Sequence, residues 1–324
     1  AANQYFGIPG WRFAFVMMAT LSLIIGVLVY LFVVDPRRTL MVGSLEDERD
    51  ELIRHDTTGV KFLWKESWSA MGTVMRVKTF QVIVLQGLVG SIPWTAMVFF
   101  TMWFELIGEN QSTKPRANVF KNVLNSVVFC TGFSHKLAAA LLSCFAIGCS
   151  LGALVGGMIA DRLSQTYPHS GRIMCAQFSA FMGIPFAWIL LKLIPQAISS
   201  YYSFAITLFL MGLTISWNGT AANAPMFAEV VPIKHRTMIY AFDRAFEVSF
   251  SSFAAPLVGI LSEKVFGYNS ETVDPVNGSP AEALALSKGL LTMMAAPFAL
   301  CCLFYTPLYV HFRKDRQQRR IYSI

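Results

Sequence analysis

The chain has 324 residues, of which 55% are hydrophobic and only 14% are charged. A soluble domain has about 45–50% apolar and about 25% charged residues, so this composition excludes an ordinary soluble protein and predicts a membrane protein. The net charge of +7 needs no nucleic-acid partner, because basic loops facing anionic lipid account for it.

Apolar runs long enough to cross a bilayer recur along the chain. A spanning helix needs about 20 such residues, because each advances about 1.5 Å across a core of about 30 Å. The runs that meet this length are 13–34, 79–104, 137–160, 173–191, 201–228, 237–262 and 289–310. Their continuous hydrophobicity predicts an all-α fold, a polytopic membrane bundle of seven transmembrane helices.

Lysine and arginine residues predict how these helices are oriented. Four segments alternate on one side of the membrane and hold 17 of the 26 Lys and Arg residues: 35–78, 161–172, 229–236 and 311–324. By the positive-inside rule this side is cytoplasmic, so the C-terminus lies inside and Ala1 outside. The linker 35–78 ends in a pattern typical of a helix lying on the membrane surface, with a plain flexible connection as the alternative.

Neither the cysteines nor the histidines form a recognisable site. The six cysteines are scattered, with no CxxC pair and no His cluster, and are predicted to be buried core residues. No Ser/His/Asp or metal-ligand constellation lies at membrane depth. The sequence therefore predicts no metal, no cofactor and no enzyme.

The span 237–262 contains three ionisable residues, Asp243, Arg244 and Glu247. An unpaired charge at this depth costs at least ~2.5–3.5 kcal/mol, so the three are predicted to face protein or a watery cavity. Asp243 and Glu247 share one helical face, and Arg244 reaches Glu247 at i+3. Two interpretations remain: the cluster locks helices together, or one carboxylate is left over and titrates or meets substrate. Proton coupling is a hypothesis that follows from the unmatched acid.

A charged turn follows the third span, in the stretch "GALVGGMIADRLSQTYPHSGRIMCAQ". Gly156 and Gly157 are predicted to let helices approach closely. The stretch resembles the cytoplasmic signature of the major facilitator superfamily, Gly-x-x-x-Asp-Arg, a short turn and then Gly-Arg. The signature positions are taken by Gly157, Asp161, Arg162, Gly171 and Arg172. The turn departs from the pattern in length, because 164–170 is extra.

Other spans, such as "QGLVGSIPWTAMVFFTMWFEL" and "AEVVPIKHRTMIYAFDRAFE", resemble the spinster-like branch of this superfamily, particularly its plant members. The resemblance covers nearly the whole chain except 109–132, which is either a true outer-loop insertion or a translated intron. It implies that 1–34 is the family's sixth helix, 35–78 a cytoplasmic linker, 79–312 the C-terminal six-helix half and 313–324 a basic tail.

The family also implies roles for individual residues. Asp161 and Arg172 would form a charge pair that holds one conformation and releases in the other, with translocation-stop charges as the alternative. The helices broken at "SIPWT" and "SWNGTAAN" would line the pathway. The candidate pathway residues are Gln86, Trp94, Trp217 and Asn218, and each has a helix–helix contact as its alternative role.

The expected function is secondary active transport of a small organic or amphiphilic, lipid-like solute by alternating access. Protons are the candidate coupling ion, and membrane lipids are the expected contacts of the outer surface of the bundle. Because such transporters use two six-helix halves, the chain is expected to be a truncated form that does not transport alone. Alternatives are a non-transporting fragment that regulates or assembles with a partner, and a seven-helix receptor, which leaves the signature unexplained.

Overall fold

The computed structural model describes residues 4–5, 8–32, 72, 75–107, 133–231, 236–269 and 279–322. The predicted linker helix before residue 72 and the insertion 109–132 lie outside the described residues. The chain falls into two compact units, Ala1–Lys65 and Glu66–Ile324. In the first unit, strands β1 (Gln4–Tyr5) and β2 (Ile8–Pro9) pair antiparallel ahead of helix α1 (Gly10–Phe32).

Helices make up the second unit. In chain order they are α2 (Lys78–Gly90), α3 (Ile92–Ala96), α4 (Phe100–Leu106), α5 (His135–Thr166), α6 (Gly171–Trp188), α7 (Tyr201–Ile215), α8 (Ala224–Val230), α9 (Arg236–Ser251), α10 (Ala254–Ile260), α11 (Pro280–Phe304) and α12 (Leu308–Tyr322). Short 3-10 turns occupy Met97–Phe99 and Ile198–Ser200, and π-helical segments occupy Ile189–Leu193, Asn218–Asn223 and Leu261–Val265.

Within the described residues, seven helical stretches are long and apolar enough to cross a membrane, as the sequence predicted. Helices suit this solvent because they satisfy every backbone hydrogen bond within the segment. The protein is therefore a multi-pass helical membrane protein. The last span differs from its prediction, since it runs from Pro280 to Phe304 rather than from 289 to 310. Its first turn contains Glu282, whose carboxylate accepts the Asn269 N–H at 2.7 Å, so this acid is accommodated inside the helix.

Four of the described spans depart from regular α-helix, and the fourth of the seven does so by ending in the π-helical segment Ile189–Leu193. The second span breaks after Gly90, just before Pro93, and the fifth passes into the π-helical segment Asn218–Asn223. The sixth breaks between Ser251 and Ala254. Pro256 accounts for that break, because a proline has no N–H for the carbonyl four residues earlier.

Contacts between side chains and backbone show which helix ends lie together. The Thr79 N–H at the start of α2 donates to Asp315 Oδ2 at 2.8 Å, which caps that helix from α12. Arg316 pairs with Glu229 at 2.7 Å and donates to the Pro168 carbonyl at 2.6 Å. We call this end of the bundle, which carries α12, the basic end. Residues 313–322 of the predicted basic tail lie within helix α12.

Two large apolar clusters and a smaller one around Trp217 occupy the described part of the second unit. One is rich in aromatic rings and includes Trp103, Phe104 and Phe204, with ring centroids 4.9–5.7 Å apart. The other lies toward the basic end and includes Phe80 and Tyr305. In the second and sixth spans, buried polar residues lie between residues of the two large clusters. Gln86 lies between Ile83 and Ala96, and Asp243 and Glu247 lie between Ile239 and Val258. The core therefore contains a polar layer within the membrane-spanning region.

Glycines bring α5 and α7 into close contact. Gly148 and Gly152 face the carbonyls of Phe209 and Leu213 on α7, and a Cβ at either glycine would clash with backbone. Gly156 lies against the indole of Trp217, as predicted. The same prediction is not met at Gly157 among the described residues, because a Cβ there meets none of their atoms within 4 Å. One of two adjacent glycines has to face away from the contact, since neighbours on a helix point about 100° apart.

Replacement of Gly152 by alanine is therefore expected to destabilise the bundle, while Gly157→Ala serves as the matched control. Overpacking of a fitted contact costs about 1–3 kcal/mol, whereas Gly→Ala at an open helical position is neutral or stabilising by about 0.5–1 kcal/mol. The apparent melting temperature of the purified protein in detergent measures the difference. Equal melting temperatures for the two variants would contradict the close α5–α7 contact.

Candidate functional site

The buried face of α9 is a single stripe at four-residue spacing: Ile239, Asp243, Glu247 and Ser251. Both carboxylates of the trio therefore point into the bundle, as the sequence predicted. Glu247 lies about 16 Å from the start of α9 at about 1.5 Å per residue, close to the middle of the span. Two acids thus lie inside the protein at membrane depth, away from lipid.

Glu247 is held by three contacts. Arg244 Nη1 pairs with Glu247 Oε2 at 2.5 Å, at the predicted i+3 spacing. The Glu247 carboxyl lies against Gly87 of α2, where any Cβ would collide with it, and Ser91 Oγ donates to the Glu247 backbone carbonyl at 3.3 Å. The glycine creates a notch in α2 that accommodates the carboxyl group. Gly87 was not among the predicted site residues, although a glycine directly after Gln86 in an apolar run was an available signal.

Arg244 differs from its partner in exposure. Its side chain is 64% exposed, whereas that of Glu247 is 7% exposed. A Cβ placed on Gly219 would lie 3.4 Å from Arg244 Nη2, so the guanidinium lies beside the π-helical segment Asn218–Asn223. A charge is costly against acyl chains. The side of α9 that carries Arg244 is therefore expected to face water rather than lipid.

Asp243 is the acid without a counter-charge. It is 2% exposed, and its Oδ1 has no hydrogen-bond partner among the described residues. Two hydroxyls close to it in sequence or in space are already committed: Tyr240 donates to the Ala224 carbonyl and Tyr305 donates to Asn223 Oδ1 at 2.9 Å. The leftover acid that the sequence predicted is thus Asp243 rather than Glu247.

The four candidate pathway residues lie in different surroundings. Gln86 is buried, accepts a hydrogen bond from Cys301 Sγ at 3.4 Å and leaves its Nε2 without a partner in the described chain. Trp94 is exposed and its ring contacts Phe145. Trp217 is packed against Gly156 and Phe178, which gives no support to a pathway role. Asn218 opens the π-helical segment, and its buried Oδ1 has no partner in the described residues.

The signature residues form a second site, in the turn between α5 and α6. Arg172 Nη2 pairs with Asp161 Oδ1 at 2.8 Å, which is the predicted pair, and Nη1 donates to the Ala221 carbonyl at 3.1 Å. Gly171 allows the turn to close, because a Cβ there would strike the backbone of Leu163 and Ser164. Arg162 is exposed and forms no ion pair with any described residue. Arg172 therefore connects the turn to the π-helical segment.

The extra residues 164–170 are docked rather than free. Pro168 accepts from Arg316 of α12, which also binds Glu229 at the end of α8. Tyr309 of α12 donates to Gln177 Oε1 at 2.8 Å, and burial raises the pKa of the Tyr309 phenol. Arg316 was not among the predicted site residues, since nothing in the sequence distinguishes it from the other basic residues near the C-terminus.

The fold and these sites define a polytopic helical membrane protein with a buried charge cluster at mid-span. A scan against models of known protein families finds no match for the chain, and a search of curated proteins finds none either. The geometry of the chain's own residues must therefore carry the functional assignment.

The two residues of the Arg244–Glu247 ion pair differ in exposure, so we expect substitution of one to lower the stability more than substitution of the other. Arg244→Ala leaves a buried carboxylate without its cation, which costs about 1–3 kcal/mol or more for a charged group. Glu247→Gln keeps a side chain of similar shape in the Gly87 notch and leaves the charge on the exposed partner. We expect the melting temperature in detergent to fall more for Arg244→Ala than for Glu247→Gln.

The double variant Arg244→Ala/Glu247→Gln provides the control. We expect its melting temperature to recover part of the decrease caused by Arg244→Ala, because no uncompensated buried charge remains. If the melting temperature of the double variant falls by more than the sum of the two single-variant decreases, the ion pair is not the cause of the difference between the single variants.

Proposed function

We propose that the chain forms a helical wall of a secondary active transporter for a small organic or amphiphilic, lipid-like solute. The observation that carries the proposal is Arg244, a charged side chain largely exposed at mid-span and anchored to a buried glutamate. A stable structure has such a group only where it faces a water-filled cavity or a polar ligand. The resemblance of the α5–α6 turn to the major facilitator signature supports the same class of protein.

Alternating access is supported by how the two sites are built. The signature pair Asp161–Arg172 closes the turn at the basic end, and the charge cluster lies deeper in the span. Both contact the same π-helical segment, at Ala221 and Gly219. Opening of the pair would therefore move the wall beside Arg244, which is the coupling that a carrier needs.

Labelling with a membrane-impermeant methanethiosulfonate reagent tests the water-filled wall. Val248 is 65% exposed and lies one helical turn beyond Arg244 on the same face, whereas Phe181 on α6 is 55% exposed. Val248→Cys is expected to react several-fold faster than Phe181→Cys, with the parent protein measured as background for the native cysteines. Equal rates, or no reaction at residue 248, would contradict a polar passage along this face.

The same cysteine distinguishes a carrier from a receptor or a rigid fragment. Adding Asp161→Asn to Val248→Cys is expected to change the ratio of labelling from the two sides of the membrane, because breaking the signature pair shifts the conformational equilibrium. Lys314→Gln is the matched control, since Lys314 is an exposed charge at the same end of the bundle and forms no ion pair in the described chain. An unchanged ratio for Asp161→Asn would contradict alternating access.

A further inference from the structure

The charge cluster is not one unit but a closed pair plus a separate acid. Arg244 and Glu247 neutralise each other at 2.5 Å, and Asp243 lies one turn closer to the start of α9 with its Oδ1 unsatisfied among the described residues. Buried polar atoms are nearly always hydrogen-bonded, so an orphan carboxyl oxygen at 2% exposure requires an explanation.

No cation of the neighbouring described helices is available to Asp243. Helices α2, α3 and α10 pack against α9, and α8 and the π-helical segment also contact it. The charged residues in these elements are Lys78, which donates to Gln81 Oε1 at 3.3 Å, and Glu229, which pairs with Arg316. Arg236 at the start of α9 donates to the Ala228 carbonyl. The titratable groups whose fields reach the Asp243 carboxyl are Glu247, Arg244, Tyr240 and Tyr305. Arg244 is bound to Glu247, and both phenols donate elsewhere.

A metal ion is a poor occupant of this position. The described residues contain no group of three His, Cys, Asp or Glu side chains that could hold one. A proton needs only the carboxylate itself, and it removes the cost of a buried, uncompensated charge. The geometry therefore favours a proton over a metal ion that requires several His, Cys or carboxylate ligands.

We propose that Asp243 is the proton-binding residue of this protein and that it binds the proton while the Arg244–Glu247 pair is closed. The inference rests on the proposed transport function, for which it names the coupling ion and its site. The step is a simple protonation: the Asp243 carboxylate takes a proton from water to give a neutral carboxylic acid.

Protonation of Asp243 has a direct consequence for Arg244. The neutral acid does not compete for the guanidinium, so Arg244 stays on Glu247 and beside Gly219. Loss of the proton creates a second carboxylate on the same helix, which competes with Glu247 for the single arginine. Proton release would thus loosen the pair and move the charge next to the π-helical segment.

Infrared difference spectroscopy of the full chain in lipid nanodiscs tests the assignment. The pH is stepped from about 9 to about 6, a range in which water-exposed carboxylates stay ionised. The C=O band of a protonated carboxylic acid is expected to appear in the parent protein and in Glu247→Gln. It is expected to be lost in Asp243→Asn and restored, at a shifted frequency, in Asp243→Glu.

Each other outcome overturns the assignment. Absence of the band from the parent protein means that no buried acid binds a proton in this range. A band that disappears in Glu247→Gln and persists in Asp243→Asn assigns the proton to Glu247 instead. If Asp243→Asn does not fold, the shift in Asp243→Glu decides, because an unshifted band excludes residue 243. If the infrared bands behave as expected but Val248→Cys is not labelled, Asp243 remains the proton-binding residue and the proposed transport function is contradicted.

Discussion

The cost of a charge without solvent is the constraint on which this structure depends. Asp243 and Glu247 lie on the one buried stripe of α9, and neighbouring helices are shaped around that stripe. Gly87 removes a side chain from α2 so that the Glu247 carboxyl fits, and Ser91 binds the backbone carbonyl of the same residue. Arg244 then supplies the counter-charge from the exposed side. Packing and exposure in this region both follow from accommodating two acids within the membrane.

The π-helical segment Asn218–Asn223 joins the two sites of the protein. Arg172 binds its Ala221 carbonyl, Arg244 lies beside its Gly219, and Tyr305 donates to its Asn223 side chain. A π-helical turn carries an extra residue, which leaves carbonyls with irregular partners and often marks a functional site. Since both charged sites contact this one element, a shift in its geometry changes both. This shared contact is a physical basis for coupling that sequence proximity alone does not provide.

Periodicity was sufficient to predict most of the fold, because bilayer thickness fixes helix length and the period of 3.6 fixes which residues share a face. The buried stripe of Asp243 and Glu247 and the reach of Arg244 are predictable on that basis. Features that depend on a neighbouring helix were not predictable. Gly156 rather than Gly157 makes the close contact because of where Trp217 lies, and the notch at Gly87 exists because Glu247 occupies it. The last span includes 280–288 because the Asn269 N–H binds the Glu282 carboxylate. The contacts of Arg316 likewise depend on where Pro168 and Glu229 end up in the fold.

The structure also bears on the alternative in which the charged residues only lock helices together. A structural network gains stability by satisfying every member, and a half-satisfied network is worse than an apolar core. The Arg244–Glu247 pair meets that requirement, but Asp243 does not, because its Oδ1 lacks a partner in the described chain. Helix locking therefore accounts for two of the three residues. Buried groups that lack a partner in this way are concentrated at functional sites, where a destabilising residue is kept for its function. Asp243 is such a group, and a reversible proton is the ligand that its surroundings fit.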